Sequence, residues 1–190
     1  AGSLRITREG EREFLHFERM HDAANYAVSE CAVKGSEKKG PDEGRALEMR
    51  VSVDHHGGEE KYPIGGPRIV YTLPPEEIDW SGWEYFEVSV WCKMHRGILP
   101  EKQPFAITFH KRPNTYQPSF PLTEQGKWVT VRIPLKDLKE KKVPVEAMAS
   151  LTFFISEQNY KDRDEVAFTL GGIRLSRPAG KEPLPTAAKS

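Results

Sequence analysis

Alternation of apolar and polar positions dominates the chain. Leu47, Met49, Val51 and Val53 share one parity, with Glu48, Arg50 and Ser52 between them. The same two-residue period runs through 86–92, 105–109, 129–133, 151–155 and 166–170, and Ile173 and Leu175 extend the last of these. Successive side chains of a strand point to opposite faces, so each run predicts a strand with one buried face. Residues 68–73 read as a further strand. Gly57-Gly58, Gly65-Gly66-Pro67, Pro74-Pro75, Pro113-Asn114 and Gly126 punctuate the runs as turns do. Helical signal is confined to one turn at 136–140 and another at 145–149. Many short strands separated by turn residues predict an all-β domain, a sandwich or a barrel. The long amphipathic crossover helices of a doubly wound α/β fold are missing from the pattern.

Length and charge narrow this picture. A chain of 190 residues suits one well-buried core better than two. Lys and Arg together number 28, as do Asp and Glu, and this balance argues against a nucleic-acid or anionic-membrane partner. No apolar run approaches the ~20 residues that span a bilayer. Ala1-Gly2-Ser3 reads as a scar left by cleavage of an expression tag, and 1–13 as that scar plus an N-terminal lead-in. The sandwich is expected over 14–176. Residues 177–190, with Pro178, Pro183 and Pro185 among small and basic residues, read as a Pro-rich linker or tail. Cys31 and Cys92 are compatible with one disulfide or with two unrelated buried thiols.

Several short segments carry a resemblance. His16-Phe17-Glu18, then Asn25-Tyr26-Ala27-Val28, then Gly44-Arg45-Ala46-Leu47 resembles the opening of jelly-roll, galactose-binding-domain-like carbohydrate-binding modules of polysaccharide-active enzymes. Asp79-Trp80-Ser81-Gly82-Trp83 is similar to the turn that introduces their next strand. Gly126-Lys127-Trp128, running on to Ile133-Pro134-Leu135, is similar to a later segment, and Leu170-Gly171-Gly172-Ile173-Arg174-Leu175 to their closing strand. The likeness extends from about Phe14 to Leu175 and implies an antiparallel two-sheet jelly-roll sandwich. It also implies a structural Ca²⁺ held by the early Glu and a closing Asp. Glu18 is present, but Gly171 stands at the Asp position. Ca²⁺ takes six to eight oxygens, and the loss of a carboxylate argues against a bound metal. No cofactor is expected.

Catalytic constellations are not evident. The chain has no Gly-x-Ser-x-Gly elbow, no His-Glu-x-x-His and no phosphate-cradling glycine loop. His55-His56, beside Asp54, Glu59 and Glu60, are adjacent residues that chelate one ion poorly on a strand. Asp162, Asp164 and Glu165 read as a solvated turn rather than a glycosidase carboxylate pair. The domain is therefore expected not to be an enzyme.

Sugars present apolar C–H faces and hydroxyl rims, met by flat aromatic rings and by forked polar groups. On a jelly roll these belong on the outer face of a sheet or at its rim. Alternation turns His110 and Arg112 outward on one strand, followed by Tyr116, and Phe154 and Gln158 outward on another, followed by Tyr160. Arg68 joins them if the strands share a sheet. These seven residues are the candidate carbohydrate-binding set. Phe154 reads equally as an exposed platform or as a ring beneath a loop. Trp80, Trp83 and Trp128 read as core or turn packing, and Trp91 as a ring covered by the N-terminal segment.

The expected function is a non-catalytic module that brings a polysaccharide to a catalytic domain in the same parent chain, secreted or at the cell surface. The competing expectation is a structural accessory sandwich that packs on a neighbouring domain and binds no sugar.

Overall fold

The computed structural model describes residues 4–56 and 66–180. Within these, twelve strands form two antiparallel sheets: β1 (Leu4–Glu9), β2 (Arg12–Phe17), β3 (Tyr26–Ser29), β4 (Ala32–Gly35), β5 (Leu47–Ser52), β6 (Arg68–Thr72), β7 (Tyr85–Met94), β8 (Ala106–Lys111), β9 (Asn114–Tyr116), β10 (Trp128–Pro134), β11 (Ser150–Phe154) and β12 (Glu165–Pro178). One α-helix among the described residues, α1, spans Leu135–Glu140, and a 3-10 turn covers Val145–Ala147. The two helical segments expected from the sequence thus resolve into one short helix and one turn.

The larger sheet is organised about β12. One edge of β12 pairs along its length with β7, which in turn carries β10. The other edge pairs first with β5, followed by β4, and then with β2, followed by β1. The smaller sheet runs β3-β6-β11-β8-β9. This is the two-sheet sandwich that the alternation predicts. Leu47, Met49 and Val51 of β5 face Ile107 and Phe109 of β8 and Leu151 and Phe153 of β11 across one core, all without exposed surface.

Aromatic packing ties the sheets together. Trp80, on the connection before β7, stacks on Phe86 at 5.4 Å between centroids and meets Phe109 edge-on at 5.9 Å. Phe105 lies 4.6 Å from Phe168 of the opposite sheet. Such pairs add ~0.5–1.5 kcal/mol each beyond the area they bury.

β12 changes parity midway. Phe168 and Leu170 point inward, and so do Ile173 and Leu175, because the register against β7 shifts between Gly171 and Arg174. This β-bulge adds one residue to β12, and Gly172 takes it up with a φ of +57° that favours glycine.

Three expectations are corrected or refined. Leu4–Glu9, read as a lead-in, is a strand paired with β2 along its whole length, because Leu4 adds an apolar side chain to the core. β12 continues to Pro178, past the expected end of the sandwich at 176. Cys31 and Cys92 are free thiols. Cys92 is buried within β7, which pushes its thiol up to about 11, while Cys31 is half-buried beside the backbone of Arg68. Ala1-Gly2-Ser3, the turn residues 57, 58 and 65, and the Pro-rich stretch from 181 onward lie outside the described residues.

Candidate functional site

Register places the outward residues of the smaller sheet in three rows. Thr72, Ser150, His110 and Thr115 lie opposite one another across β6, β11, β8 and β9. Ala27, Val70, Thr152 and Thr108 form the next row, and Ser29, Arg68, Phe154 and Ala106 the third. The four residue steps from Ser150 to Phe154 span roughly 13 Å along the strand.

An open trough of about 510 Å³ occupies the first two rows. Its floor is Val70, Thr72, Ser150 and Thr152, and its wall is His110, Lys111 and Arg112. His110 Nε2 lies 3.1 Å from Thr152 Oγ1, which fixes the ring across the strands. Partial burial, and then the Arg112 charge, hold the His110 pKa below its ordinary value, so the ring is neutral at neutral pH. Arg112 is exposed in the two-residue loop of the β8–β9 hairpin. That hairpin is anchored where Asn114 Nδ2 donates to the Lys142 carbonyl at 3.0 Å.

The seven sequence candidates divide. His110 and Arg112 share the trough. Arg68 and Phe154 face each other directly on the same side of the sheet, one end further along. Arg68 is engaged there, donating to the Gly66 carbonyl at 2.9 Å and pairing with Glu30 at 3.4 Å. Phe154 is half-buried, and Gln158 is exposed on the 3-10 turn Glu157–Asn159 beyond β11. The placement expected for the two tyrosines is corrected. Tyr116 lies opposite Phe109, so it shares the core side of the sheet and packs partly buried against it. Tyr160 is itself buried, its hydroxyl donating to the Pro104 carbonyl at 2.6 Å, and burial raises its pKa. Lys111, Thr72 and Ser150 are trough residues outside the candidate set. Alternation along 68–73 signals Thr72, and that of 151–155, continued one residue back, signals Ser150, whereas Lys111 lines the trough at a position of the opposite parity.

The outer face of the larger sheet is built differently. Trp91 and Trp128 stand opposite each other on β7 and β10. Lys38 places its ammonium 4.4 Å from the Trp91 ring centre, so the loop after β4, rather than the N-terminal segment, covers this ring. Further along, Glu87 has no exposed surface and pairs with Arg132 at 3.1 Å and Arg174 at 3.2 Å, while Ser176 also donates to it. Trp80 is in the core, and Trp83 packs partly buried under the Arg177 guanidinium.

The remaining candidate clusters have structural partners. Asp164 is buried and held by a two-pronged Arg96 contact at 2.5 and 2.8 Å. Asp162 accepts from the His55 backbone N–H. His55 Nε2 lies 3.0 Å from the Glu157 carbonyl and His56 Nε2 lies 4.0 Å from Asp162, so the two rings serve separate partners. Glu59 and Glu60 lie outside the described residues. Glu18 accepts from Arg5 Nε at 2.8 Å, and a Cβ at position 171 would sit 3.0 Å from the Gly40 Cα. Among the described residues no helix is long and apolar enough to cross a membrane.

Comparison with solved structures places this arrangement. The family 11 carbohydrate-binding module of the cellulosomal cellulase Lic26A-Cel5E of Clostridium thermocellum superposes with a TM-score of 0.52 at 14% identity, covering 92% of this chain and 95% of that one. The fold is that of a carbohydrate-binding module. The Clostridium thermocellum family 11 module in complex with a β-1,3-1,4-mixed-linked tetrasaccharide gives 0.53 at 15% identity, with 96% and 99% covered. An exo-β-agarase gives 0.51 at 9% identity, the match covering 84% of this chain and 24% of the agarase. No protein-family model matches the chain. No curated protein matches it. At these identities the likeness to carbohydrate-binding modules is one of jelly-roll architecture.

Proposed function

We propose that this domain is a non-catalytic carbohydrate-binding module. It holds a polysaccharide on the outer face of its smaller sheet for an enzyme in the same parent chain, outside the cell or at its surface. The observation that carries this reading is the open trough. Hydroxyls of Thr72, Ser150 and Thr152, a neutral His110 and an exposed Arg112 line it without a covering loop among the described residues. Hydroxyls and an imidazole donate and accept in turn, which suits a ligand made of hydroxyls. Tethering would raise the local concentration of substrate around an attached enzyme without any chemistry in the module. Hydrogen bonds that exchange with water give small net gains, so weak to moderate affinity is expected.

The structural accessory reading calls for a contiguous exposed apolar patch. Among the described residues the exposed large hydrophobics are Val28 and Ile98, which lie on different elements, and this does not favour it.

Affinity electrophoresis through a panel of soluble polysaccharides tests the proposal. Retardation by a glycan should weaken about tenfold, or ~1.4 kcal/mol, in His110→Ala and Arg112→Ala and persist in Trp91→Ala. If no glycan retards the protein, or only Trp91→Ala abolishes retardation, the reading fails.

A further inference from the structure

The charge distribution over the two faces points to the class of glycan, an inference that rests on the trough being the sugar site. We propose that the trough takes an anionic polysaccharide, one whose sugars carry carboxylate or sulfate groups.

The trough contains Lys111 and Arg112 and no Asp or Glu. Among the described residues neither cation has an ion pair, whereas across the larger sheet most basic side chains have carboxylate partners, Arg12 and Lys93 being the exceptions. There Arg132 and Arg174 share Glu87, Arg50 and Lys34 approach Glu48, and Arg5 pairs with Glu18. The electrostatic surroundings of His110 agree, since the charge that acts on it is Arg112's, with no carboxylate opposing it. The chain as a whole has equal numbers of acidic and basic residues, so this excess is local and unsupported by net charge. Its reach is limited to about a Debye length, roughly 8–10 Å at ordinary salt, which confines the attraction to a ligand seated in the trough.

The rest of the face supports the same class. Strong stacking on a neutral sugar needs an exposed flat ring. Tyr116 and Tyr160 turn toward the core, and Phe154 is half-buried beyond the trough. What the trough offers instead is a planar guanidinium beside hydroxyls, whose fork matches two oxygens of a carboxylate or sulfate. Thr72, Ser150 and Thr152 then address the sugar hydroxyls next to the charged group.

Affinity electrophoresis and calorimetry with three probes decide the matter: polygalacturonate for carboxylate, a sulfated galactan for sulfate, and mixed-linkage β-glucan as the neutral reference. The anionic probes, or one of them, should bind at least tenfold more tightly than the neutral one at low salt. Lys111→Ala should reduce that binding severalfold and Arg112→Ala about tenfold, while Lys136→Ala/Lys139→Ala, which removes two exposed cations outside the trough, should leave it unchanged. Binding of only one anionic probe supports the proposal and identifies the acidic group. Equal or tighter binding of the neutral glucan overturns the anionic assignment while leaving the module reading intact. Equal losses in the Lys136/Lys139 variant also overturn it, since the attraction would then be unspecific. Failure of all three probes, together with the wider panel, sinks both.

Discussion

The two outer faces of the sandwich solve opposite problems with similar residues. The larger sheet carries charged and aromatic side chains that are already matched: Glu87 by two arginines, Trp91 by Lys38, Phe14 by Arg174 at 3.8 Å. The smaller sheet leaves two hydroxyls, those of Thr72 and Ser150, and two cations unmatched in an open trough, where the His110 ring and the Thr152 hydroxyl meet each other. A buried charge must be paired or it destabilises the fold, whereas an exposed unpaired one costs little and stays available. Richness in aromatic and charged groups is therefore a poor guide to which face binds. What distinguishes the faces is whether those groups already have partners.

The largest expected effect breaks the matched face. Glu87→Ala removes a carboxylate with no exposed surface from the mostly buried Arg174 and the half-exposed Arg132, and should destabilise the domain by about 3 kcal/mol, the low end for a broken buried pair. Urea unfolding measures this. Glycan retardation by the folded fraction should be unchanged, and a small loss of stability would show that the network is not what holds this sheet.

Acid and base should act on the two sides of the molecule in opposite directions. Beneath the smaller sheet, Glu77 is buried and accepts from the Tyr71 hydroxyl, and desolvation pushes its pKa from 4.5 up to about 7. The folded state therefore holds this proton more tightly than the unfolded chain. The associated stability is complete below pH 4.5 and is lost as pH rises to about 7. The loss is on the order of 3 kcal/mol at most. On the larger sheet Glu13 shows the reverse, its pKa lowered by Arg8 and then Arg177. Its contribution is present above the ordinary carboxyl range and disappears as pH falls through the lowered value. Unfolding free energies over a pH series should show both limbs. Glu77→Gln should flatten only the upper one, and an unaltered upper limb in that variant would refute the assignment.

A smaller effect sharpens the comparison at the covering loop. Gly171→Ala places a Cβ 3.0 Å from the Gly40 Cα and 3.3 Å from the Trp128 ring. Crowding backbone against backbone should cost about 1–3 kcal/mol. Thermal melts measure it, and a neutral result would mean that the loop is not seated on the sheet.

Much of this was legible in the chain. Period-two runs locate β5, β7, β8, β10 and β11, whereas Ile173 and Leu175, which read as an extension of the 166–170 run, change parity across a bulge that the register of β12 against β7 reveals. The site was legible in part. His110 follows from its strand's alternation, but the side to which Tyr116 points depends on the two-residue loop that pairs Phe109 with it. Tyr160 follows a 3-10 turn, where the period of the strand no longer applies, and its destination is set by a carbonyl 56 residues away in sequence. The cover over Trp91 comes from a loop without periodicity, so only the folded chain reveals it. The substitution of Gly171 for an expected Asp was visible at once, while its steric reason, the approach of Gly40, was not.

The long strand β12 also sets how the domain would bear tension. β2 lies between β1 and the last residues of β12, antiparallel to both, with Leu4 opposite Phe17 and Pro178 opposite Arg12. A pull between Leu4 and Pro178 would thus drag β1 and β12 in opposite senses along β2. Their ladder bonds would be sheared together instead of being unzipped one at a time. The load would run through the larger sheet, leaving the trough on the other sheet outside the path of the force.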